Sequence, residues 1–503
     1  MTKFHLTAKT PAETESLAQV LSLWARTGAL IALSGDLGSG KSTFARAFIR
    51  TLMKQGFETD VPSPSFSLIQ AYDETRLPVF HADLYRLKSM AEINDLGMED
   101  LLQSHCGLVE WADRLERPLS ENTLYVALAG SGESREITLI PTGSWPAALA
   151  RNSTIAAFVK SPDMAIGSRV FFEGDASARR YETVSHEDKR VILMDMPQRP
   201  DGPIVRHGKP YSQIAHLAEN ITAVVAINRH LISNGYSAPR ILSADLKQGL
   251  ALIEPLGDKV FGQMLLAGEA MQVPMETAAL LLADMVGKSW PSTVEAAPGH
   301  FHTVRPYDEE AQLIEVDLMP SWYIPFARGL APTSDLNEDF EAVWQKILPL
   351  SLSDKPQWVL RDYHSPNLLW LPEREGLQRV GLIDTQDTVM GHPAYDLVSM
   401  IQDARVDIDP ALADHVYRLY VATRRQQGQF SETDFATAYA VLGAQRATKI
   451  LGIFARLNKR DGKPGYLKHM PRVSRYLTQN LEHPALAELK SWYIKYLPEA
   501  LSA

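Results

Sequence analysis

A single cysteine, Cys106, stands in 503 residues. One thiol cannot close an intramolecular disulfide, and no cysteine cluster of zinc spacing can be built from it. Basic residues do not predominate: 50 Lys+Arg face 60 Asp+Glu, for a net charge of −10. That balance excludes a global nucleic-acid coat or a basic membrane-binding surface, so any connection to RNA must be local or indirect. No run of about 18 or more apolar residues occurs, and the start MTKFHLTAKTPAETESL has no basic stretch followed by an apolar one. These absences predict a soluble cytoplasmic protein with no membrane partner. The 30 Gly and 31 Pro are near ordinary usage and show no period, which excludes collagenous and low-complexity classes. With 45% apolar residues and nine tryptophans, the chain is not disordered as a whole.

What remains is length. Five hundred residues exceed what one hydrophobic core usually supports, so two or more domains are expected. Charge does not mark the boundary, because both halves are mildly acidic. Punctuation does: after the alternating run Arg135 to Ile140 come Pro-Thr-Gly-Ser-Trp-Pro, an Ala-rich stretch and Ser161-Pro162. A first domain over 1–140, a linker over 141–162 and a second domain over 163–503 follow. Before the linker, helical periodicity (12–27, Phe44 to Met53) alternates with strand-like runs (Ala29 to Leu33, Ser67 to Ala71, Val79 to His81, Leu108 to Val109). This predicts an α/β domain on a mainly parallel sheet. After it, strand-like runs at Arg169 to Phe172, Tyr181 to Val184 and Val191 to Met194 precede a mostly helical remainder from Tyr211. This predicts an α+β fold with a small sheet lobe and a larger helical lobe.

The first domain carries Gly35-Asp36-Leu37-Gly38-Ser39-Gly40-Lys41-Ser42-Thr43, the full G-x-x-x-x-G-K-[ST] pattern between a buried-strand run and a helical one. The glycines let successive backbone N–H groups curl around a phosphate chain, and the following helix presents its positive end. Lys41 would bridge terminal phosphates and the Ser42 hydroxyl would ligate magnesium. Such a site also needs an acid for the metal or the water. Glu110 and Asp83 each end a short apolar strand, and a catalytic role for them competes with simple surface solvation. His81 reads as a packing or hydrogen-bonding residue, and Trp111 as packing or an interface contact.

The set GDLGSGKST, Pro62-Ser63-Pro64-Ser65-Phe66, HADLYRL, Leu96-Gly97 and Val109-Glu110-Trp111, in order over about residues 10 to 140, resembles TsaE, the P-loop ATPase of bacterial tRNA threonylcarbamoyladenosine (t6A37) synthesis. The resemblance implies ATP hydrolysis in the service of TsaD- and TsaB-like subunits, with tRNA touched only through them. It implies that Lys41 contacts phosphate, that Ser42 and Glu110 bind magnesium, that Asp83 supports metal or water, and that Thr43 lies beside the nucleotide. Ser65 stands where the family usually has Thr and keeps the hydroxyl.

The second domain holds a different constellation. In Trp358-Val359-Leu360-Arg361-Asp362-Tyr363-His364-Ser365-Pro366-Asn367, an acid is followed five positions later by an asparagine, and Gly381-Leu382-Ile383-Asp384 ends a strand on another acid. This is the order a kinase needs: a carboxylate to take the acceptor proton, Asp362, and two groups for magnesium, Asn367 and Asp384. Asp387 reads as a second metal ligand or, with Asp396, as a cap of the helix near 394–403. His364 reads as structural.

These motifs, with Gly174-Asp175-Ala176-Ser177-Ala178-Arg179-Arg180-Tyr181, GLIDTQDTVMGHPAYDLVSMIQDAR and the run from Gln445-Arg446 to Leu451-Gly452-Ile453-Phe454, resemble the aminoglycoside phosphotransferase superfamily. Within it they resemble the cell-wall sugar kinases typified by AmgK. The resemblance spans about 165 to 480 and implies a bilobal protein-kinase-like fold, ATP and Mg2+, and an amino-sugar acceptor phosphorylated on its anomeric hydroxyl. It places Gly174 and Ser177 at the nucleotide. One departure stands out: the strand Val191-Ile192-Leu193-Met194-Asp195 has no lysine for the α and β phosphates. Arg180 or Lys189 would substitute, or the domain is a noncatalytic nucleotide or metabolite sensor that regulates the ATPase.

Overall fold

The computed structural model describes residues 2–53, 60–159, 169–172, 179–186, 189–198 and 201–501. It divides into two units, Met1–Asp195 and Met196–Ala503.

The first unit opens with β1 (Phe4–Ala8), α1 (Pro11–Ser22), β2 (Leu30–Ser34) and α2 (Lys41–Leu52), followed by β3 (Ile69–Tyr72) and β4 (Val79–Asp83). Two short helices, α3 (Met90–Asn94) and α4 (Met98–Leu102), precede β5 (Cys106–Glu110), β6 (Thr123–Ala129) and β7 (Arg135–Pro141). Sheet order is β1-β7-β6-β2-β5-β4-β3. The pairs β6–β2, β2–β5 and β5–β4 are parallel, and the outer pairs are antiparallel. β2, β4 and β5 are buried along nearly their whole length, as parallel strands covered on both faces must be. Their C-terminal ends align Ser34, Asp83 and Glu110 on one edge, where α/β sheets bind ligands.

The segment 141–162, expected as a linker, is helical over α5 (Trp145–Val159). Pro146 lies in its first turn, and Trp145, Ala148 and Leu149 pack into the same core as α1, α2 and β7. An Ala-rich run between prolines has the composition of a loop boundary, but here its apolar face has a sheet to cover. The unit ends with the antiparallel strands β8 (Arg169–Phe172), β9 (Arg180–His186) and β10 (Lys189–Asp195).

The second unit begins with β11 (Ile204–Arg206), β12 (Lys209–Pro210), α6 (Tyr211–Ile214) and α7 (Ile221–Ser233), then the hairpin β13 (Ile241–Asp245) and β14 (Leu250–Ile253). Next come α8 (Phe261–Leu266), α9 (Gln272–Val286), the hairpin β15 (Thr293–Ala297) and β16 (His300–Thr303), α10 (Glu309–Val316), α11 (Ile324–Arg328) and α12 (Ser334–Ile347). Four three-residue strands frame the second site: β17 (Gln357–Val359), β18 (Leu368–Trp370), β19 (Val380–Leu382) and β20 (Val389–Gly391). They pair β17 with β20 and β18 with β19. The helices α13 (Ala394–Ile401), α14 (Pro410–Gln426), α15 (Glu432–Asp461), α16 (Met470–Asn480) and α17 (Ala487–Tyr496) complete it. α15 is the spine: a Cβ on Gly452 would lie 2.5 Å from the Leu318 backbone, so only glycine allows this approach.

Candidate functional sites

The phosphate loop turns between β2 and α2 as its sequence requires. Gly35 adopts φ +136°, and a Cβ there would lie 2.1 Å from the Leu128 carbonyl oxygen. Gly40 caps α2 with φ +99°. Lys41 Nζ donates to the Gly35 and Asp36 carbonyls at 2.7 and 2.8 Å and sits 3.8 Å above the Trp111 ring. Burial lowers the Lys41 pKa from its usual range, opposed chiefly by the charge of Glu110. Ser42 Oγ donates to Glu110 Oε2 at 2.9 Å, so the two expected metal ligands already meet. Ser65 Oγ donates to Asp83 Oδ2 at 2.9 Å and the Tyr85 N–H to Asp83 Oδ1 at 2.9 Å. The switch-like loop and the second acid therefore form one unit. Leu37 stands on the loop 78% exposed, and Thr43 follows Ser42 in the first turn of α2.

Two contacts here escape a reading of motifs. His81, fully buried, donates from Nε2 to Glu110 Oε1 at 2.9 Å and so orients that carboxylate. Arg135, at the start of β7, donates to the Ser39 and Gly38 carbonyls at 2.7 and 3.0 Å, bracing the loop from about 96 positions away. Trp111 is neither simple core nor bare surface: its ring lies tilted against Tyr85, centroids 4.9 Å apart, and faces Lys41.

In the second unit, Asp362, Asn367 and Asp384 line one pocket, together with Leu360, Leu368 and Leu382. Asn367 Nδ2 donates to the Asp362 carbonyl at 3.1 Å, closing the catalytic-type loop on itself. Its surroundings would raise the Asp362 pKa, but His364, with Nε2 3.7 Å away, and the charges of Lys449 and Arg361 hold it well below the usual carboxylate range. Asp384 takes φ +61° and Arg361 φ +65°, strained turns that aim the loop ends.

The supports of this loop were not legible as motifs. Asp396 sits in the first turn of α13, yet its carboxylate accepts the Leu360 and Arg361 N–H groups at 2.7 and 3.0 Å. Burial raises its pKa to about 7. Asp403 accepts the Ser365 N–H at 2.8 Å. Arg361 is clamped by Glu315 of α10, which also binds Lys449 at 2.7 Å, Tyr307 at 2.5 Å and Gln445 at 3.0 Å. Asp387 accepts the Ala218 N–H at 2.6 Å, an anchor for the segment before α7 rather than a cap of α13.

The nucleotide-loop residues Gly174 and Ser177 lie outside the described residues. Arg180, expected at the nucleotide, pairs with Glu182 at 2.7 Å and lies 3.7 Å over the Trp24 ring. The ion pair and the aromatic face hold the guanidinium, while its Nε is buried with no hydrogen-bond partner among the described residues. Arg169 shares Glu182 at 2.6 Å, and Arg151 pairs with Asp195 at 2.5 Å.

A phosphate loop backed by a buried carboxylate on a mainly parallel sheet, and an aspartate–asparagine–aspartate set on a kinase-like lobe, define a protein that joins a P-loop ATPase domain and a phosphotransferase domain. The chain belongs to the Threonylcarbamoyl adenosine biosynthesis protein TsaE family over residues 8–137 and to the Phosphotransferase enzyme family over 168–430. Among relatives, the N-acetylmuramate/N-acetylglucosamine kinase of Caulobacter vibrioides is 36% identical over 367 residues, covering 69% of this chain and 97% of that protein. The enzyme of the same name from Pseudomonas aeruginosa is 31% identical over 327 residues, covering 63% and 84%. The tRNA threonylcarbamoyladenosine biosynthesis protein TsaE of Bacillus subtilis is 36% identical over 137 residues, 27% of this chain and 83% of that protein. No helix among the described residues is long and apolar enough to cross a membrane.

Proposed function

We propose that residues 1–140 hydrolyse ATP in support of tRNA t6A37 synthesis, in company with TsaD- and TsaB-like subunits, and that 163–503 phosphorylate the anomeric hydroxyl of an N-acetylated amino sugar with ATP. The observation that carries the second half is the convergence of Asp362, Asn367 and Asp384 on one pocket. Asp362, held ionised, takes the proton of the acceptor hydroxyl as that oxygen attacks the γ-phosphate. Asp396, Asp403 and Glu315 fix the loop so that this carboxylate points to the acceptor. Magnesium, which Ser42 with Glu110 and Asn367 with Asp384 suit as oxygen-donor pairs, would neutralise phosphate charge in each site. In the first site Lys41 leaves its loop carbonyls for the terminal phosphates, Asp83 orients water or metal, and His81 keeps Glu110 aligned.

A mass-spectrometric screen of amino sugars with ATP tests the kinase: a product heavier by one phosphoryl group supports it. The engagement of Arg180 by Glu182 and Trp24, beside a run Val191–Asp195 that holds no lysine, favours a second reading, a nucleotide- or metabolite-binding regulator of the ATPase. Nucleotide binding with no product across the panel would establish that reading instead. Complementation of a TsaE-depleted strain tests the first half, and failure to restore the tRNA modification would refute it.

A further inference from the structure

A cavity of about 570 Å³ lies in the second unit, between the residues leading into α7, the β15–β16 hairpin and the segment after Asp384. The two pockets share one chain segment: Asp384 and Thr385 line that of Asp362, and Gln386 and Thr388, which follow, line the cavity. The wall is fixed to the metal segment by two bonds. Thr385 Oγ1 donates to Asn228 Oδ1 of α7 at 2.9 Å, and the Ala218 N–H donates to Asp387.

In a chain of net charge −10, the lining is basic. Lys209, His216, His302 and Arg305 face Glu219 as the lone lining acid. Lys209 and His216 have distant carboxylate partners, Glu310 at 3.9 Å and Asp308 at 3.8 Å. Among the described residues no carboxylate pairs with the exposed Arg305. The N-terminus of α7, 13 residues long and capped by Asn220, opens on the same space through Thr222 and Ala223. Phe301, 61% exposed, offers an aromatic face at the rim, and His302 Nε2 is buried with no hydrogen-bond partner among the described residues. A ring with an apolar face, polar substituents and one carboxylate satisfies all of these groups; a neutral sugar leaves Arg305 without a counter-charge.

We propose that this cavity is the acceptor pocket and that Arg305 pairs with the carboxylate of an acidic amino sugar while Phe301 covers its ring. The inference rests on the kinase reading and adds the acceptor's charge and the residue that reads it. The test is steady-state phosphorylation of N-acetylmuramate, which carries a carboxylate, and N-acetylglucosamine, which does not, by the full chain and by Arg305→Ala and Arg305→Lys. Loss of a charge-assisted hydrogen bond should raise KM for the acidic sugar about 10- to 100-fold in Arg305→Ala. KM for the neutral sugar and kcat for both should stay within about twofold, with partial recovery in Arg305→Lys. An unchanged KM for the acidic sugar, or an equal rise for both sugars, overturns the assignment while the kinase reading stands. If the unmodified chain phosphorylates neither sugar, the kinase reading itself falls and takes the assignment with it.

Discussion

Replacing Glu315 by glutamine tests whether the catalytic-type loop is held by charge or merely by packing. Glu315 is fully buried between Arg361, 3% exposed, and Lys449, and also accepts from Tyr307 and Gln445. Burial alone would raise its pKa, but Lys449 and Arg361 reverse this and hold it near about 2. A folded pKa below the unfolded one means stability fully present above about pH 4.5 and lost as pH falls toward 2. Glutamine keeps the shape and removes the charge, leaving two buried cations facing one amide. Breaking a buried pair from one side costs about 3–5 kcal/mol. For a unit of this size that lowers Tm by on the order of 10 °C. The sharper consequence concerns pH. Without Glu315, burial drives the Lys449 pKa below its unfolded value, so the unfolded state binds more protons and stability rises with pH. Thermal unfolding of the full chain from pH 6 to 9 should show the variant gaining on the parent as pH rises. Equal melting, or parallel pH profiles, would refute the view that Glu315 neutralises both cations.

Three further outcomes follow from the two sites. Asp362→Asn should reduce phosphotransfer about 10²- to 10⁴-fold, since it removes the proton acceptor and leaves the loop's anchors in place; unchanged thermal unfolding would assign the loss to chemistry. Lys41→Ala should abolish sugar-independent phosphate release and leave sugar phosphorylation intact, and a parallel loss of both would mean that one site drives both reactions. Gly35→Ala should displace the phosphate loop, because its Cβ meets the Leu128 carbonyl oxygen at 2.1 Å in a φ that L residues avoid. Nucleotide binding to the first unit, followed by fluorescence of Trp111 beside Lys41, should fall with it.

How legible each part was follows from where its partners lie in the chain. The phosphate loop reads directly because its chemistry is made by consecutive residues: backbone amides, Lys41 and Ser42 must be adjacent to wrap one phosphate chain. Asp362 and Asn367 read for the same reason, within one loop. The braces did not, because their partners are far apart in sequence. Arg135 reaches Ser39, Glu315 reaches Arg361 and Lys449, and Asp396 reaches back to Leu360. An acid in or shortly before the first turn of a helix looks like a cap, as Asp396 and Asp387 do on sequence grounds alone. Only tertiary packing reveals that their carboxylates are spent on other segments. α5 failed in the opposite sense: local composition suggested a linker, yet Trp145 found a core to enter. Arg180 joins the two lessons. In the sequence Arg180 and Lys189 were both candidates for the place of the missing lysine; in the fold Arg180 meets Glu182 and Trp24, and Lys189 begins β10. The contacts of Arg180 do not follow from its place in the sequence, because the partners that engage it, one of them Trp24 just after α1, lie up to about 150 positions away.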